Sequence, residues 1–128
     1  MNFEKDYFMR MIQDIVRFLV QLITGKPQFQ YAIEDTEHPT ACDDLYTRII
    51  ALADAGRINE AENVLYQNLD VEDQNFLLMG LSFYTHINDY TDDFLADHNY
   101  SREEIKDGIV QLAKEFGVDG LDGLNMHS

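Results

Sequence analysis

The sequence predicts an all-α fold, an irregular up-down and orthogonal bundle of five to six helices packed around a long N-terminal helix. Three observations carry this. Apolar residues recur at three- and four-residue spacing through most of the 128 residues. Cap signatures and Gly or Pro stops interrupt that pattern. A 45% hydrophobic content with eight Phe and seven Tyr is enough for a core at this length. Helices are expected over about 3–24, 41–55, 58–68, 72–89, 92–98 and 102–116, within a single domain of residues 1–117. Residues 25–40 read as a long loop and 118–128 as a flexible tail.

In the first helix Asp6, Arg10, Gln13, Asp14, Arg17 and Gln21 form one narrow polar stripe, and nearly everything around them is apolar. Gly25 and Pro27 end it. A helix lying against one core needs an apolar stripe of about 100°. This one is wider, because Phe18 and Val20 flank the main face on opposite sides. An apolar surface of that width needs a second cover. Two-fold pairing is the commonest solution for soluble oligomers. The chain is therefore expected to form a homodimer through this helix, with Met11, Val16, Phe18, Val20 and Ile23 at the interface.

The loop that follows has two prolines and no apolar period, and Phe29 and Tyr31 are expected to pin its first half to the core. Thr40 and Asp43 have capping-box spacing and open the second helix, whose inner stripe is Leu45, Ile49 and Leu52. Gly56 ends it, and a short link to a third helix burying Ala61, Val64 and Leu65 makes a helical hairpin. Asp70 is the expected cap of the fourth helix. Phe76, Leu77, Met79, Leu81, Phe83, Tyr84 and Ile87 surround most of it, with Ser82, His86 and Asp89 on its wet side. Gly80 in its middle costs about 1 kcal/mol relative to Ala and implies close approach of another helix. Thr91 caps a short fifth helix. Ser101 and Glu104 form a capping box for the last, whose stripe is Ile105, Ile109, Leu112 and Phe116.

The hairpin segment Gly56-Arg57-Ile58-Asn59-Glu60-Ala61, with Leu65 and Leu69, resembles the turn and second helix of a tetratricopeptide repeat. The resemblance spans about one repeat, whereas a solenoid needs three or more, so it implies a helical hairpin and does not establish a peptide-binding groove. The whole chain resembles a family of small acidic helical proteins from Firmicutes, a domain of unknown function. The residues that carry this are Tyr7 to Ile12, Gly56 to Leu69 and Asn99 to Ile105. It implies the helical fold and transfers no active site.

A net charge of −15 repels a phosphate backbone, so nucleic acid is not an expected partner. Residues 1–26 sum to +1, and the remainder carries −16. One cysteine, Cys42, permits no internal disulfide and suits a reducing cytoplasm. The N-terminus lacks the pattern of a signal peptide, and no apolar run reaches membrane-spanning length.

Candidate chemistry is sparse. His86 and Asp89 at i,i+3 spacing, with Asp93, Asp97 and His98 on the next helix, are the candidate metal ligands. In a chain with 24 acidic residues such neighbours arise by chance, so neither a metal nor any other cofactor is expected. Cys42 at a helix start with His38 four residues earlier could form a nucleophile pair, but Asp43 and Asp44 disfavour a thiolate. The function remains unknown at this level. The reading that fits best is a non-catalytic helical domain acting by self-association or contact with a protein partner. The alternatives are a metal- or small-ligand-binding helical protein and an acidic protein that sequesters a basic partner.

Overall fold

The computed structural model describes residues 3–26 and 29–118, with side chains in the first helix from Tyr7 onward. Six helices follow in order: α1 (Phe3–Thr24), α2 (Ala41–Asp54), α3 (Ile58–Gln67), α4 (Gln74–Asn88), α5 (Asp92–Asp97) and α6 (Arg102–Glu115). No strand occurs among the described residues.

Side-chain caps set most of the helix starts. Thr40 accepts from the Asp43 N–H while the Asp43 carboxylate accepts from the Thr40 N–H, and Ser101 and Glu104 repeat the arrangement at α6. Thr91 caps α5 through the Phe94 N–H. The start of α4 departs from expectation. Asp73, not Asp70, accepts from the Asn75 N–H and caps the helix. Asp70 instead closes the preceding turn, its carboxylate accepting from the Glu72 N–H and its carbonyl from the Asp73 N–H.

α2 and α3 form the hairpin. Gly56 turns the chain between them at φ +88°, a conformation that disfavours side chains, and the His98 ring lies where a Cβ would stand. α4 packs against α2 on one side and against α1 and α6 on the other, and α1 also touches α6. The bundle is thus organised around α4. Its buried residues run from Phe76 to Leu81 and on through Phe83, Tyr84, Ile87 and Asn88. α1 lies at the side of the bundle and not at its centre. The close approach implied by Gly80 is made by Leu112 of α6, whose Cδ2 lies 2.6 Å from the place a Cβ would take. One core cluster joins Ile12, Ile15 and Leu19 of α1 to Ile49, Leu65, Met79, Phe83 and Ile109. Val118 packs on that core as well, and residues 119–128, expected as tail, lie outside the described residues.

Candidate functional site

α1 has two apolar flanks, and the fold treats them differently. On one flank the returning loop runs beside the helix; Tyr31 packs on the core as expected, whereas Phe29 remains 41% exposed. Tyr31 donates its N–H to Ser82 Oγ at 3.0 Å, and its ring stacks on Tyr46 at 4.9 Å between centroids. This holds Phe29 and Gln30 beside Val16 and Val20, with Thr85 of α4 closing a groove of about 430 Å³. Val20 is only 2% exposed there. Its expected place at an interface is therefore corrected: its surface is already used within the chain. On the other flank Tyr7, Phe18 and Leu22 are 44%, 49% and 59% exposed. Met11, Val16 and Ile23 are half-buried against the core. Between the flanks runs the polar row, where Arg17 pairs with Asp14 at 3.2 Å in the open.

The fold holds polar clusters that helical periodicity did not reveal, two of them part-buried and the one at Asp54 exposed. In three places a tyrosine hydroxyl donates to a carboxylate and ties distant segments together. Tyr31 bonds Asp43, joining the loop to the start of α2. That bond holds the Asp43 carboxyl below its ordinary range, while burial and the carboxylate push the Tyr31 hydroxyl far up. Tyr90 bonds Asp54 Oδ1 at 2.5 Å, and His86 Nε2 meets the same oxygen at 2.7 Å, joining the end of α2 to the end of α4. Burial alone would raise Asp54, but the bonds from Tyr90 and His86 outweigh it and its carboxyl is lowered.

The third cluster is the largest. Glu62 of α3 accepts from Tyr84 of α4 and from Tyr100 at 3.0 Å. Tyr66 lies 3.1 Å from the Tyr84 hydroxyl and donates to the Gly108 carbonyl of α6 at 2.8 Å. The Tyr84 ring occupies the space a Cβ at 108 would need, so α6 passes there only as glycine. Burial raises the Glu62 carboxyl above its usual value in spite of the two tyrosine bonds, and burial pushes the Tyr66 hydroxyl up to about 12. Arg102 is the other interior polar group. Its guanidinium donates to the Asn88 carbonyl and side chain, to the Tyr90 carbonyl at 2.7 Å and to Asp92 at 3.2 Å. It thereby closes the end of α4 onto the start of α6. These bonds tie helices and loop together across the fold.

A cleft of about 600 Å³ opens between the loop and the first turns of α2 and α4. Asp35, Asp43, Asp70 and Asp73 are among its lining residues, and no lysine or arginine is. Asp43 is bound by Tyr31 and Thr40, and Asp73 is spent as the α4 cap. Cys42 lies buried at its floor, its thiol 3.6 Å from the Asn75 carbonyl and pushed up by burial. His38 lines the same cleft, but it is exposed, 3.1 Å from Asp35, and makes no hydrogen bond to Cys42. The Cys42–His38 pair is not assembled.

The metal candidates are not brought together either. His86 is turned to Asp54, and Asp89 is the end residue of α4. Asp93 and Asp97 are exposed on α5. His98 binds the Phe94 carbonyl at 2.7 Å and closes a file of rings, His86, Tyr90, Phe94 and His98, with centroids 4.4 to 5.4 Å apart. Among the described residues no three His, Cys, Asp or Glu side chains converge as metal ligands. No described helix is long and apolar enough to cross a membrane.

Of the features that do work in this fold, Arg102 had a legible signal. No Lys or Arg lies between Arg57 and Arg102, so an isolated cation entered a long acidic stretch. The tyrosine pairs had none, since their partners lie 12 to 38 residues apart.

No characterised protein and no solved structure matches the chain. A family model does, over residues 2–117, and the chain belongs to the DUF6483 family, a family of unknown function.

Proposed function

We propose that this protein is a non-catalytic contact domain that associates with a second copy of itself through the open flank of α1. The observation that carries the reading is the exposure of Tyr7, Phe18 and Leu22 on one side of a helix whose other sides are packed or polar. Charge favours a second copy as the occupant. Residues 1–26 sum to +1 in a chain of −15, so this is where two copies approach with the least repulsion. A face roughly 33 Å long and 10 Å wide is small for a specific interface, so association in the micromolar range is expected. The free, buried Cys42 fits a bacterial cytoplasm as the setting.

Light scattering on the native chain and a Phe18→Glu variant tests this. The native protein is expected to associate at tens of micromolar, and the variant to remain a monomer with unchanged helical circular dichroism. A variant that associates as the native chain does removes the open flank from consideration.

A further inference from the structure

We infer that residues 29–39 form a strap over the acidic cleft that opens as a unit about one latch, the Tyr31 hydroxyl on Asp43, while the helices stay folded. The inference is independent of the α1 surface. Every residue from Phe29 to Pro39 other than Tyr31 and Ile33 is exposed. Tyr31 makes the hydrogen bonds that tie this segment to the helices. Its N–H donates to Ser82 Oγ of α4 at 3.0 Å, and its hydroxyl donates to the Asp43 carboxylate of α2. Its ring lies against Tyr46 of α2, with centroids 4.9 Å apart. A segment with so little buried surface and so few bonds to its surroundings belongs to the low end of local stability.

Two features make the latch reversible. The strap carries its own turn: the Asp35 carboxylate accepts from the Glu37 N–H at 3.0 Å, and the Asp35 carbonyl accepts from the His38 N–H at 3.3 Å. Those bonds lie within the strap and travel with it. The acceptor on the helix side is held without the strap. Thr40 donates its N–H to Asp43 Oδ2 at 2.9 Å, which leaves Oδ1 to receive the tyrosine. The capping box thus fixes the carboxylate, and the strap returns to a preformed partner. Behind the strap Cys42 and Phe76, 5% and 7% exposed, line the cleft. Opening uncovers them, so the single cysteine of the chain reports the motion.

Alkylation of Cys42 by iodoacetamide, at protein concentrations too low for association, reads the opening. The native chain is expected to react at a rate nearly independent of urea below the unfolding transition, because a strap that lifts exposes little surface. Tyr31→Phe is expected to react about tenfold faster with unchanged helical circular dichroism, since it loses a bond to a charged acceptor. The Tyr31 hydroxyl also bonds the Cys42 thiol and favours its ionised form, so its loss without opening would slow the reaction. Ser82→Ala keeps the latch and cuts the second bond, and about threefold acceleration is expected. Rates that follow the urea slope of global unfolding in the native chain overturn the strap. Equal rates in the native and Tyr31→Phe chains overturn the latch. A Tyr31→Phe chain that loses its helices overturns the inference as well, because the bond would then hold the fold and not the strap alone.

Discussion

Phe83 and Phe18 are the same residue on two helices whose apolar patterns both exceed one core face, yet Phe83 is fully buried and Phe18 is half exposed. The difference lies in where each helix sits. α4 is enclosed by α2 on one side and by α1 and α6 on the other, so its wide pattern is satisfied within the chain. α1 lies at the side, with α4 and α6 beneath it and the loop at Phe29 against one flank. A wide apolar pattern thus states how many neighbours a helix needs. It does not state whether the same chain supplies them.

The comparison can be broken at several points, the largest effect coming from its own two residues. Phe83→Ala is expected to lower unfolding free energy by about 4 kcal/mol in denaturant titration, through lost burial and a residual cavity. Phe18→Ala should leave monomer stability within about 0.5 kcal/mol, measured at concentrations too low for association. Similar losses in both variants would mean that Phe18 is packed and that the two helices do not differ.

Arg102→Ala comes next, at about 3 kcal/mol, because the Asn88 and Tyr90 carbonyls would lose their charged donor inside the fold. Gly108→Ala is expected to cost about 2 kcal/mol by forcing the Tyr84 ring from its place, with no effect on association. A Gly108→Ala variant that associates less would show that the α4 side and the α1 surface are coupled.

The smallest effect concerns pH. Glu62 has a raised carboxyl value in the folded chain, so the folded state holds its proton more tightly than the unfolded one. Its contribution to stability is full below the ordinary value near 4.5 and is lost as pH rises through the folded value. Asp43 and Asp54, both lowered, act in the opposite sense and lose their contribution as pH falls. Glu62→Gln should therefore flatten the decline in melting temperature between mildly acidic and neutral pH. An unchanged slope would remove Glu62 as its source.

The helices were legible because local signals specify them. The capping boxes at Thr40 and Ser101, the Thr91 cap and the Gly56 turn lie where their residues predict, and Gly80 meets the helix its presence implied. The start of α4 was read too early because Asp70 and Asp73 carry the same cap chemistry, and only the turn between them decides which one is used. The two flanks of α1 could not be separated in sequence. Phe18 and Val20 stand at equivalent distances from the inner face, and the choice between them rests on the path of the loop through Tyr31 to Ser82. The tyrosine–carboxylate pairs were unreadable for the same physical reason. They are contacts across the fold, and they satisfy acids that a chain with nine basic residues could not pair with cations.

Sedimentation equilibrium of the native chain from about 1 to 200 µM, at low and at high salt, tests the central claim most directly. The account predicts a shift from the 14.9 kDa monomer to twice that mass, tightened by salt as repulsion between the acidic bodies is screened. A 14.9 kDa species throughout the range would contradict it.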